Sequence, residues 1–140
     1  MEKLFQLCKD LGIRVANSPF NIEGCYVPNL DIIYLNISFC NFTKTCPMNV
    51  LAHEIGHWTG RSNRLNRFDF SGRPENLDVE ELTASYFGIL LLELCQIDSQ
   101  DNKDVLSRID ATEIEHKIAQ KQAKDAMSYF ETLMNGIKVA

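Results

Sequence analysis

The sequence predicts an α+β fold, a small β-hairpin or sheet followed by helices. Two observations carry this. Apolar residues recur at helical spacing near the N-terminus and through most of the second half, and two short runs rich in β-formers stand close together between positions 25 and 35. At 140 residues the chain suits one compact domain, residues 1–140, long enough to bury a real core.

The elements follow in order. Leu4, Phe5, Leu7, Cys8 and Leu11 give a helix over 2–12, with Gly12 where a helix would stop. Residues 13–16 suit a short strand before the Asn17-Ser18-Pro19 turn. Cys25–Val27 and Ile32–Leu35 read as a β-hairpin around Pro28-Asn29, and "SFCNFTKTC" reads as loop. Pro47 suits the first turn of a helix, where its missing N–H costs nothing, so a helix is expected from Pro47 to Thr59 with Gly60 ending it. Residues 61–77 show no clean period and are expected to be irregular. A helix over Asp78–Cys95 would use Val79, Leu82, Tyr86, Ile89, Leu90 and Leu94. After a polar loop, "QIDSQDNKD", a long helix is expected over Ala111–Met134, with a stripe of Ile114, Ile118, Ala119, Ala123, Ala126, Phe130 and Leu133.

Fourteen basic residues against nineteen acidic ones give a net charge of -5. That argues against a nucleic-acid binder, which would carry a basic stripe to neutralise phosphates. The longest apolar run, "FGILLLELC", is far shorter than the ~20 residues a bilayer needs. The charged, amphipathic N-terminus lacks the apolar core of a signal peptide. A cytoplasmic location is therefore expected. Five cysteines without regular spacing suit free thiols rather than a disulfide framework; Cys40 and Cys46, six apart, are too widely spaced for a typical zinc pair.

The stretch "VLAHEIGHWTG" carries the chemistry. His53 and His57, four apart on a helix, share one face and can hold one metal ion between them. Zinc favours neutral imidazole, and a catalytic site has three protein ligands and an open position. Glu54 lies beside the pair, placed to take a proton from the attacking water and pass it to the leaving amine. Leu51, Ile55 and Trp58 form a separate stripe for packing. A bare five-residue match also arises by chance, but Gly56 inside the motif costs ~1 kcal/mol relative to alanine and so points to a packing or access requirement.

A third ligand is needed. Asn63 stands where a metzincin would place a histidine, and His116, among charged neighbours, reads as a solvated surface residue. Glu81, followed by Leu82, Thr83 and the small Ala84 and Ser85, is the better candidate on a second, closely packed helix, ahead of Glu80. The bland alternative is that these acids only serve a helix N-terminus, with Asp78 and Glu81 as a capping box. Tyr86 reads as core. Arg61, Arg64 and Arg67 either line a cleft or tie the loop down by pairing with Asp69, Glu75 or Asp78.

"HEIGHWTGRSNRLNR" followed by "EELTASYFGILLLELCQI" resembles the zincin-like metallopeptidase domain of ArdC-type antirestriction proteins, and more distantly the ImmA/IrrE-type proteases. The resemblance covers roughly residues 20–135. It implies a gluzincin-like arrangement in which His53, His57 and Glu81 bind one Zn2+ and Glu54 is the general base. It implies a zinc metallopeptidase from a phage, plasmid or other mobile element, related to antirestriction and acting on a protein or peptide substrate. The alternative is a zincin-fold protein that acts by stoichiometric binding to a host protein. ArdC proteins carry a single-stranded-DNA-binding domain before the metallopeptidase; DNA binding is not expected from this stretch alone.

Overall fold

The computed structural model describes residues 2–139. Helix α1, Glu2–Leu11, buries Leu4 and Cys8 on its apolar face and ends at Gly12, which takes the left-handed φ of +73° that a helix-terminating residue needs. Three short strands follow: β1, Arg14–Asn17; β2, Gly24–Val27; and β3, Ile32–Leu35. They form one sheet in the order β1-β3-β2, with β1 parallel and β2 antiparallel to β3. The expected hairpin is β2–β3. Its turn closes through Asp31 N–H donating to the Val27 carbonyl at 2.8 Å, with Asp31 itself at a φ of +54°. Central β3 buries Ile33 and Leu35, alternate residues on one face.

The stretch expected to be loop after β3 contains a short helix, α2, Ile37–Thr43. Asn36 caps it by accepting from Phe39 N–H at 2.9 Å, Lys44 ends it in the left-handed region, and Cys40 is its buried residue. Seven residues are too few to establish a period, so the cap was the only signal. Helix α3, Pro47–Trp58, starts at its proline, and Leu51, Ile55 and Trp58 lie in the core.

Residues 61–76 are irregular, with one isolated bridge between Phe68 and Pro74. Helix α4, Leu77–Leu94, is the centre of the molecule, packed against α3 on one side and the long C-terminal helix α6, Glu113–Val139, on another. Being covered from more than one direction, it buries Leu82, Phe87, Leu91 and Leu92 rather than a single stripe, while Leu94 is exposed. Its N-cap is Asn76, which accepts from Val79 N–H at 3.1 Å, and not an Asp78–Glu81 box.

The polar segment after α4 folds as a helix, α5, Gln100–Arg108, where a loop was expected. Its anchor is polar: Asn102, 2% exposed, donates its amide to the Asn49 carbonyl at 3.1 Å and to Asn49 Oδ1 at 3.2 Å. A buried asparagine pair leaves no hydrophobic period to read. Helix α6 begins with a reciprocal capping box between Thr112 and Glu115. It buries Ala119, Ala123, Ala126, Met127 and Phe130, whereas Ile114 and Ile118 point outward. Among the described residues all five cysteines are free thiols, and no helix is long and apolar enough to cross a membrane.

Candidate metal centre

The two site helices meet at Gly56. A Cβ placed there would lie 2.8 Å from the Ala84 Cα and 3.0 Å from its carbonyl oxygen, so only glycine lets α3 approach α4 this closely. That approach sets His53 and His57 on α3 against Glu81 on α4. The His53 and His57 Nε2 atoms are 3.1 Å apart. Glu81 Oε2 is 3.0 Å from the first, and Glu81 Oε1 is 3.2 Å from the second. A tetrahedral ion with bonds of about 2.0–2.1 Å has edges of about 3.3 Å. The donors therefore already stand at nearly the separation that one such ion requires.

Each imidazole is oriented from behind. His53 Nδ1 is 3.1 Å from the hydroxyl of buried Ser85, one turn beyond Glu81 on α4. His57 Nδ1 is 2.8 Å from Glu80 Oε2. The adjacent glutamates thus do different things: Glu81 faces the Nε2 atoms, and Glu80, 3% exposed, sits behind His57. Burial pulls the His57 pKa down, but its hydrogen bonds to the acceptor oxygens of Glu80 and Glu81 outweigh it and raise the value to about 10. For Glu81, burial opposes ionisation, yet His53 and His57 hold its carboxyl well below the usual range; Glu80 is lowered likewise by His57 and Arg67.

Glu54 completes the centre. It is 7% exposed and lines the same cleft, and its Oε2 has no hydrogen-bond partner among the described residues. Leaving a buried carboxylate oxygen unpaired costs about 1–3 kcal/mol, which a structural role would not justify. Gly24, the first residue of β2, lies behind it: a Cβ there would come within 2.7 Å of Val50 Cγ1 and 3.7 Å of Glu54 Cγ. The cleft has a volume of about 760 Å³ and runs from Glu23 and Asp101 past the histidines to Phe68 and Leu77.

The three arginines tie the loop rather than line the cleft, but with partners other than those expected. Arg64 forms a two-pronged pair with Asp31, at 2.9 and 2.8 Å, donates to the Trp58 carbonyl at 3.0 Å, and stacks on the Trp58 ring at 3.7 Å. Arg61 donates to the Pro28 carbonyl. Arg67 reaches Glu80 at 2.7 Å. Asp69 instead closes its own turn, accepting from the Ser71 and Arg73 backbone. Tyr86 is half-buried away from the cleft, its hydroxyl 2.8 Å from His116 Nδ1. His116 is therefore not the free surface residue its charged neighbours suggested, because its ring turns in toward α4. Two supporting residues escaped the sequence reading, Asp31 and the orienting hydroxyl of Ser85. Ser85 carried a signal, since its spacing from Glu81 matches that of His57 from His53.

The fold has solved counterparts. Two crystal structures of the antirestriction protein ArdC from plasmid R388 superpose on nearly the whole chain. The Mn(II)-bound form gives a TM-score of 0.62 at 19% identity, covering 98% of this chain and 52% of that one. The metal-free form gives 0.63 at 24%, covering 99% and 51%. The chain thus spans about half the length of the ArdC chains it matches, and at these identities the likeness is one of fold. No curated protein sequence matches the chain. The model of the MPTase-PolyVal family, zincin-like metallopeptidase, matches residues 2–111. That match runs from α1 to the loop before α6 and takes in both site helices, so the chain belongs to the zincin-like metallopeptidases.

Proposed function

We propose that this chain is a zinc-dependent peptidase whose His53, His57 and Glu81 hold one Zn2+ and whose Glu54 is the general base. The observation that carries the reading is the convergence of two imidazole nitrogens and a carboxylate within 3.0–3.2 Å beside a buried, unpartnered Glu54 oxygen. The donor set fits the ion: two nitrogens and one carboxylate are a common catalytic zinc complement, and Glu54 is left over for proton transfer. When bound, the ion acts as a Lewis acid on the peptide carbonyl and makes nearby water more acidic.

The chain's own residues do the rest. Glu54 Oε2, free of other partners, accepts the proton of the attacking water and returns it to the leaving amine. Among the described residues strand β2 pairs only with β3, and its residues Gly24, Cys25 and Tyr26 line the cleft. Its unpaired edge suits an extended peptide, held by backbone hydrogen bonds next to Glu54. The ArdC likeness supports an antirestriction setting, with a protein of the host as substrate.

The test combines elemental mass spectrometry of protein purified without chelator with digestion of a peptide library followed by mass spectrometry. One zinc per chain and cleavage lost by about 10²–10⁴-fold in Glu54→Gln are expected, since general base catalysis contributes on that scale. Cleavage retained in a zinc-loaded Glu54→Gln protein would refute Glu54 as the general base, and zinc binding with no cleavage even by wild type would favour a zincin-fold binding protein.

A further inference from the structure

Glu80 and Glu81 are neighbours on α4, both within 3.2 Å of a site histidine. Either could compete for the same cation, and their surroundings decide between them. Both oxygens of Glu80 are occupied: Oε1 accepts from Arg67 Nε at 2.7 Å, while Oε2 accepts from His57 Nδ1 at 2.8 Å and Arg67 Nη2 at 3.2 Å. Glu81, in contrast, has among the described residues only the two Nε2 atoms as partners and is partly open to the cleft.

Arg67 is itself held on every side. Its Nη2 donates to the Gly56 carbonyl at 2.8 Å, and both terminal nitrogens reach Thr59 Oγ1 at 3.2 Å. The guanidinium passes beneath the end of α3 through space that Gly60 leaves open, where a Cβ would come within 2.8 Å of Arg67 Nη2. A cation at that helix C-terminus also complements the helix dipole. The side chain is 9% exposed, so the Arg67–Glu80 pair is a buried, two-pronged ion pair.

We propose that Arg67 and Glu80 form a positioning pair that selects the ligand set: Arg67 holds both Glu80 oxygens off the metal position, and Glu80 keeps the His57 proton on Nδ1. Glu81 then supplies the third donor, and both histidines present bare Nε2 atoms. This rests on the metal-centre reading above. It assigns Thr59, Gly60 and Arg67, which lie outside the donor set, to metal selection rather than to loop packing alone.

The test measures zinc affinity of the full chain by competition with a chromophoric chelator, together with the absorption spectrum of the Co(II)-substituted protein. Variants are Arg67→Lys, Glu80→Gln and, as a control on the same loop, Arg64→Lys. Arg67→Lys and Glu80→Gln are expected to weaken zinc binding by about 10- to 100-fold, the usual effect of losing a ligand's hydrogen-bonding partner, and to shift the Co(II) bands. Arg64→Lys should lower the melting temperature while leaving affinity and bands as in wild type. Affinities within twofold of wild type in both pair variants would overturn the proposal while leaving the metal centre standing. If wild type binds no metal, the centre and the pair fall together. Should a pair variant fail to fold, ¹⁵N NMR of the neutral His57 ring in the zinc-free wild type decides: a proton on Nδ1 supports the pair, and a proton on Nε2 overturns it.

Discussion

Gly56→Ala sets two effects of opposite sign against each other at the contact that builds the site. In an isolated helix the change would stabilise by about 1 kcal/mol, because glycine is the poorer helix former. Here the new methyl would meet the Ala84 Cα at 2.8 Å, the Ala84 carbonyl oxygen at 3.0 Å and Phe87 Cδ1 at 3.2 Å. Two of these three are backbone atoms, which cannot turn aside as the tip of a long side chain can. Restoring ordinary contact at 3.4 Å requires α3 and α4 to part by about 0.6 Å. Overpacking of this kind costs about 1–3 kcal/mol, so the steric effect wins and the variant loses stability. Since His53 and His57 ride on α3 and Glu81 on α4, the same separation opens the donor set by more than the ±0.2 Å or so that a metal site tolerates. Calorimetry with and without added zinc reads both consequences. Melting of the zinc-free protein should fall by several degrees, at about 3–5 °C per kcal/mol for a chain of this size. The rise in melting temperature on adding zinc should shrink, as expected for weaker binding to the folded state. A Gly56→Ala protein more stable than wild type, with an undiminished zinc response, would refute the close α3–α4 contact and the geometry derived from it.

Two further perturbations probe the frame around the site. Burial raises the Asp31 pKa, but pairing with Arg64 and the Tyr26 hydroxyl outweighs it and lowers the value, so the pair's stabilisation is present above the unfolded carboxylate range and is lost as pH falls through the folded value. Asp31→Asn should therefore cost about 1–3 kcal/mol at pH 7, and the gap between the two proteins in urea titrations should close below about pH 4; a pH-independent gap would point to packing instead. Asn102→Ala removes the donors to the Asn49 carbonyl and side-chain oxygen; a loss of about 2–3 kcal/mol and faster amide exchange confined first to residues 100–108 are expected, and unchanged protection there would contradict the anchoring role.

What was legible in the sequence followed the strength of the local signal. Helix α3 announced itself through Pro47, the Leu51–Ile55–Trp58 stripe and the histidine spacing, and its bounds agree with the structure to within a residue. The hairpin was equally plain from its β-formers and Pro28-Asn29. The missed helices, α2 and α5, have no apolar period to detect. One is seven residues long and depends on the Asn36 cap, and the other is held by an asparagine pair between positions 49 and 102. Tertiary hydrogen bonds of that kind are invisible to any window shorter than their separation. The misplaced outer face of α6 has a related cause, since Ile114 and Ile118 fit the helical period but lie on the exposed side of the helix, while His116 and Ala119 face α4.

At the candidate site, spacing along one helix is readable and partnership between elements is not. His53, Glu54 and His57 are one turn of α3, and Glu81 with Ser85 is one turn of α4, so each half could be taken from the sequence alone. What distinguishes Glu80 from Glu81 is an arginine thirteen residues earlier in an irregular loop. That loop owes its path to Arg64 gripping Asp31 and Trp58, to Thr59 and Gly60 making room for Arg67, and to Asn66 adopting a left-handed φ of +55°. Trp58, Thr59, Gly60, Arg64, Asn66 and Arg67 thus each have a mechanical task, and those of Thr59, Gly60 and Arg67 converge on Glu80 and, through it, on the ring of His57. A substitution that frees Arg67 therefore acts on the centre by releasing Glu80, whereas one at Arg64 loosens the fold. That separates Arg67 from Arg64, two arginines of one loop and of equal burial: Arg67 holds Glu80 behind His57, whereas Arg64 holds Asp31 and Trp58.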